Sequence, residues 1–139
     1  MDFSEQYIKM CKNASSVQEA WQPAIGDFAF WDASIEEPSP VLIYNVDDDL
    51  LHVVTLQRGT YHVLTKDDLI WLPRQDQLLE LCHQEYEIVP KPFLAWECIA
   101  PALFLDAYRR FKTYEQLWLM LLMWLRHNQV WDGEQWTRH

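Results

Sequence analysis

Residues 50–65 read LLHVVTLQRGTYHVLT. Two runs rich in Val, Leu, Thr and Tyr flank Arg58-Gly59, and a glycine there can supply the positive φ that a two-residue hairpin turn needs. The pattern predicts strands over Leu50–Gln57 and Thr60–Thr65, with Leu56 opposite Tyr61 and Val54 opposite Val63. Upstream, Asn45–Asp49 is a polar turn and Val41–Tyr44 a second strand candidate. Phe28, Phe30 and Trp31 make an earlier one, closed by the turn-rich run Glu36–Pro40. Downstream, Leu69–Leu72 is a last short strand before Pro73. Four or five short strands in about 45 residues predict a small, strongly bent antiparallel sheet or a barrel of the SH3-like kind.

Helical spacing flanks this β-rich part (27–72) on both sides. Phe3, Tyr7, Met10, Ala14, Val17 and Trp21 recur at three- and four-residue intervals, predicting one amphipathic helix over 1–22 with Asp2 or Ser4 as its cap. Leu78, Leu79 and Cys82 predict a short helix up to about Glu85. Pro90 and Pro92 mark a linker. Phe93–Phe111 is helical in composition, with Pro101 expected to kink or split it. Thr113 with Gln116 has capping-box spacing and opens a final helix to about Asn128. Trp131-Asp132-Gly133-Glu134 then reads as a tight turn that returns Trp136 towards Trp131. The expectation is an α+β chain in one domain over 1–139, with 73–139 helical.

Composition narrows the function classes. Half of the 139 residues are hydrophobic, and only three are glycine, which excludes a disordered chain, a collagen-like chain and a disulfide mini-protein. The net charge is −10. Residues 1–105 carry six Lys/Arg against seventeen Asp/Glu, whereas 106–139 carry five against four. Nucleic-acid binders draw much of their affinity from neutralised phosphates, so no nucleic-acid partner is expected. Cys11, Cys82 and Cys98 contain no CxxC pair and read as buried thiols of a reducing compartment. The apolar run Leu117–Leu125 is too short for a membrane span, which takes about 20 residues. With the polar N-terminus, this predicts a cytoplasmic protein with no membrane partner.

Catalytic and metal-binding patterns are weak. In the predicted hairpin His52 and His62 point to opposite faces of the sheet and cannot share one ion. Asp47-Asp48-Asp49 lacks the alternating oxygens and following Gly of a calcium loop. Glu36-Glu37 and Asp67-Asp68 read as solvated loops. No serine lies in a nucleophile elbow, and glycines at 26, 59 and 133 cannot build a phosphate loop. No catalytic residue, metal or cofactor is assigned.

The strongest signal is aromatic. Eight tryptophans occur in the chain, and the last helix is apolar nearly all round, so it must be central or shared with another subunit. The candidate interface residues are Trp118, Leu121, Leu122, Trp124, Trp131 and Trp136. Arg74 and Asp76, at a strand-to-helix junction, are the candidate ligand contacts, although such residues more often tie down a helix start.

IWLPRQDQL (Ile70–Leu78) followed by EQLWLMLLMWLRHNQVWDGEQW (Glu115–Trp136) resembles a group of small proteins encoded by phages and prophages of Gram-positive bacteria. The two segments cover about a quarter of the chain and stand in the same order as in that group. The helix here is more apolar, LMLLMW, where the group often carries lysine and glutamate after the first turn. The resemblance implies a mobile-element origin and a host-cytoplasm location, and it supplies no catalytic residues. The expected function is therefore a non-enzymatic accessory protein acting by protein–protein contact, with itself or with a host or phage protein. A small-molecule or nucleotide-sequestering counter-defence protein is the second reading. It requires Arg58, Arg74 or Arg109 inside a concave site. A small hydrolase built on His52 or His62 with an aspartate is the third.

Overall fold

The computed structural model describes residues 1–32, 37–85 and 101–138. The expected linker at Pro90 and Pro92, the Phe93–Ala100 part of the third helical segment, Cys98, and Glu36 in the first loop lie outside the described residues. The fold is α+β, as the sequence predicts. The described residues group into two compact units, Phe3–Pro73 and Met1–Asp2 with Arg74–His139.

The first unit holds helices α1 (Glu5–Lys12) and α2 (Ser15–Ala20) and strands β1 (Phe28–Trp31), β2 (Ser39–Asp47), β3 (Leu50–Thr55), β4 (Tyr61–Leu64) and β5 (Leu69–Leu72). The single N-terminal helix of the sequence reading is thus two. Asn13 stops α1 by returning its Nδ2 to the Lys9 carbonyl at 2.8 Å. Ser4 is the N-cap of α1, accepting from the Tyr7 amide at 3.3 Å. The five strands form one antiparallel sheet in the order β4-β3-β2-β1-β5, so β4 and β5 are its edges.

Residues directly opposite in an antiparallel pair share a face. One face carries Ala29, Val41, Ile43, Leu51 and Val53, all buried. On this face the Trp31 and His62 rings meet with centroids 4.7 Å apart, although their strands β1 and β4 are separated by two others. That contact makes the sheet strongly bent with this face concave. Trp71 lies on the same face and stacks on Trp21, 5.9 Å away and almost parallel. Trp21 in turn donates its indole N–H to the buried Asp27 carboxylate at 2.9 Å.

The two hairpins at the β4 end differ. Between β2 and β3 the chain turns through Asp48 at φ 52°, a left-handed conformation that Asp tolerates better than most residues. Between β3 and β4 the two-residue turn at Arg58-Gly59 gives way to a longer loop. Thr55 donates to the Thr60 carbonyl at 2.9 Å and accepts from the Gly59 amide at 2.8 Å. Gly59, at φ 67°, and Thr60 together face Thr55, which is a glycine bulge. The register is therefore Val54 opposite Tyr61 and His52 opposite Val63, two residues from the predicted one. An even shift keeps each side chain on its face, so His52 and His62 still point oppositely.

The second unit contains α3 (Gln75–Glu85), α4 (Pro101–Arg110), α5 (Tyr114–His127) and a hairpin of β6 (Gln129–Trp131) and β7 (Trp136–Arg138). Thr113 caps α5 by accepting from the Gln116 amide at 3.3 Å. Asp2 joins this cap, accepting from Thr113 Oγ1 at 2.6 Å and Gln116 Nε2 at 2.8 Å. The expected role of Asp2 as first-helix cap is thereby corrected, because the residue is buried at a different helix start. Asn128, at φ 54°, closes the C-terminal end of α5. Against α5, Cys82 of α3 donates its thiol to the Trp118 carbonyl at 3.8 Å. Burial pushes that thiol up to about 12, partly offset by the Arg126 guanidinium.

Candidate interaction surface

The last helix is a core element. Trp118, Leu121 and Leu122 are fully buried within the chain, and so is Trp131. Of the six candidate interface residues, only Trp124 and Trp136 keep partial exposure. Trp131 and Trp136 face each other across the β6–β7 hairpin with ring centroids 5.2 Å apart. Main-chain atoms of Trp131 are tied down as well, its N–H directed at Met120 Sδ at 3.3 Å and its carbonyl accepting from Arg110 at 2.7 Å.

Arg74 and Asp76 pair with each other at 3.1 Å, at the start of α3, where the Arg74 amide also donates to Gln77 at 2.9 Å. Arg58 pairs with Glu37 at 3.4 Å on the surface, and Arg109 is exposed. A groove of about 390 Å³ lies at one end of the sheet, lined by Pro23, Val46, Asp48, Asp49, Leu51 and Thr65–Asp67. Arg58, Arg74 and Arg109 all lie outside its lining. His62 Nε2 contacts Thr60 Oγ1 at 3.0 Å, and His52 lies edge-on to Tyr44. Among the described residues no carboxylate sits within hydrogen-bond reach of either imidazole.

The convex face of the sheet and its two edges are what distinguish the molecule. A straight cross-strand row runs Leu72, Phe28, Leu42, Val54, Tyr61 across all five strands. Leu72 is fully buried and Phe28 is covered by the Phe3 ring at 5.4 Å. Phe28, Leu42 and Val54 are half-buried, and Tyr61 at the β4 end is 71% exposed. Beside it stand Val63, 52% exposed, and Tyr44. A register shift after Ile43 makes Tyr44 a bulge residue, and its ring meets Tyr61 at 5.5 Å and His52 at 6.1 Å. The result is an exposed aromatic and β-branched patch.

The two edges are treated differently. On β5, the Gln18 side chain of α2 accepts from the Trp71 amide at 2.7 Å and donates to the Trp71 carbonyl at 3.0 Å. This imitates a sixth strand and closes the edge. Tyr7 adds a bond to the Pro73 carbonyl at 2.6 Å. On β4, the bond from Thr55 to the Thr60 carbonyl fixes the alternation of the ladder. Val53–His62 and Leu51–Leu64 are the hydrogen-bonded pairs with β3, whereas Val54–Tyr61 and His52–Val63 are not. The N–H and C=O groups of Tyr61 and Val63 therefore point away from the sheet, and no described residue meets them. β4 reads Tyr-His-Val-Leu, without the lysine or proline that commonly blunts an edge.

The Tyr61–Val63 edge is not a candidate contact in the sequence, because its signal lies in outward-facing backbone atoms rather than in side-chain types. Comparison with family models, curated proteins and solved structures gave no match.

Proposed function

We propose that the chain is a non-enzymatic accessory protein that acts by protein–protein contact, and that it docks its partner on the β4 edge and the aromatic patch beside it. The observation that carries this reading is the asymmetry of the sheet: Gln18 seals β5 at Trp71, while Tyr61 and Val63 leave β4 open. Strand addition to such an edge gains main-chain hydrogen bonds, and neighbouring side chains supply selectivity. Tyr61, Tyr44 and Val63 are the side chains placed to do so. Tyrosine contributes large contact area at low cost in side-chain entropy. A mobile-element origin and action in the host cytoplasm belong to the same proposal and rest on the sequence resemblance. Among the described residues no helix is long and apolar enough to cross a membrane.

The test is positional. A photoreactive phenylalanine analogue replaces Tyr61 in one version of the protein and Ile25, equally open to solvent at 66% exposure, in another. On irradiation in the producing cell, the reading expects a protein adduct from position 61 and none from position 25. Equal yields at the two positions, or no adduct at 61, would contradict it.

A further inference from the structure

We infer that the occupant of the β4 edge is the β4 strand of a second copy of this chain, paired antiparallel about a two-fold axis at His62. The inference rests on the reading of β4 as the docking edge and names its partner.

The outward groups are self-complementary. Only Tyr61 and Val63 offer N–H and C=O on the open side of β4, and they flank His62 symmetrically. Antiparallel pairing about His62 sets Tyr61 of each copy opposite Val63 of the other. The N–H and C=O of all four residues are then used, in four main-chain hydrogen bonds, and the two His62 residues form the intervening non-bonded pair. On the convex face the same register places each exposed Tyr61 against the other copy's Val63, an aromatic and β-branched pair of the favourable cross-strand kind. The two patches around Tyr44 and His52 become one.

Charge selects the same arrangement. Beyond the C-terminal end of β4 lies the groove lined by Asp48, Asp49 and Asp67 with Lys66, a net acidic end. Before its N-terminal end lies Arg58, whose side chain is 55% exposed. In the two-fold arrangement Arg58 of one copy stands opposite Lys66 of the other, whose ammonium is turned onto the Glu19 and Trp21 carbonyls of its own chain, so Arg58 meets an end whose three aspartates outnumber that one lysine. A parallel pair would set acid against acid. The exposed Glu37 that holds Arg58 within its own chain is a weak competitor.

Two sets of variants test this by size-exclusion chromatography with light scattering over a concentration series. Proline at position 63 removes an N–H that does not bond to β3, so Val63→Pro keeps the sheet and removes a docking donor in both copies. Wild type is expected to pass from monomer to dimer mass with rising concentration. Val63→Pro is expected to dimerise about tenfold or more weakly, with an unchanged circular dichroism spectrum. Should the proline disturb the fold, Val63→Lys serves the same purpose. Arg58→Glu and Asp67→Lys are each expected to weaken the dimer, and an equimolar mixture of the two to restore it, because both contacts then join opposite charges. A wild type that stays monomeric, a folded Val63→Pro that dimerises as wild type does, or a mixture no better than its components would overturn the inference. A monomeric wild type that still gives an adduct with a different protein at position 61 would refute self-pairing and leave the docking-edge reading standing.

Discussion

The Gln18 carboxamide holds both main-chain groups of Trp71, accepting its N–H at 2.7 Å and donating to its C=O at 3.0 Å. A helix side chain thereby occupies the place of a neighbouring strand. Leucine at position 18 has nearly the same size and neither group. Gln18→Leu is expected to cost about 1–3 kcal/mol, the penalty for leaving part-buried peptide groups unpaired, and to increase aggregation by opening a second edge. Urea unfolding checks the first and light scattering at rest the second. An unchanged midpoint would show that Gln18 is a spectator.

Asp2 links the chain start to the start of α5, with one carboxylate oxygen bonded to both Thr113 and Gln116. The carboxylate also lies at the positive end of the helix dipole. Asp2→Ala is expected to lower stability by about 1.5–3 kcal/mol, the range for hydrogen bonds to a charged acceptor. Circular dichroism during denaturation measures it, and a change under half the lower figure would contradict the role.

Cys82 sets a limit at alkaline pH. Its thiol is raised from 9.0 to about 12 by burial. In the unfolded chain it ionises first, so the folded state holds one more proton between these values. The Cys82 contribution to stability is therefore full below pH 9.0 and is lost as pH rises towards about 12. Other groups titrate in this range too, so the comparison is with Cys82→Ala, whose stability should fall less steeply over the same window. At pH 8 the native thiol should also resist a disulfide reagent that labels it once the protein is unfolded.

Asp132 works in the opposite direction. Its carboxylate accepts from the Glu134 and Gln135 amides, each at 2.8 Å, and these bonds, with that of Gln135 foremost, hold its pKa below the ordinary carboxylate value of 3.8. The contribution is present above that value and is lost as pH falls through the folded one. The readout is the coupled circular dichroism of Trp131 and Trp136, whose rings lie 5.2 Å apart at 59°. The couplet should weaken in strong acid, and it should already be weak in Asp132→Ala at neutral pH. A full couplet in that variant would mean that ring packing alone holds the turn.

Much of the fold is legible in the sequence because its signals are local. The alternation in Leu50–Thr65, the Thr113–Gln116 cap and the Trp131–Trp136 turn each depend on residues a few positions apart. The hairpin register was not legible. A left-handed Gly59 fits a two-residue turn as well as a bulge, and the choice depends on Thr55 bonding Thr60. The break after α1 depends on Asn13 folding back on Lys9, a bond that competes locally with helix continuation. The site was the least legible. Gln18 and Trp71 are 53 residues apart in sequence, and what marks β4 is the direction of its peptide groups. Tryptophan content points to α5 instead, where Trp118 serves the core.

Amide hydrogen exchange by NMR, at a concentration where light scattering reports a monomer, tests the open edge most directly. The account predicts slow exchange at His62, Leu64 and Trp71, whose N–H groups bond to β3 or to Gln18. It predicts fast exchange at Tyr61 and Val63, slowing when a partner strand is present. Tyr61 and Val63 amides as protected as His62 in the monomer, or an unprotected Trp71, would contradict it.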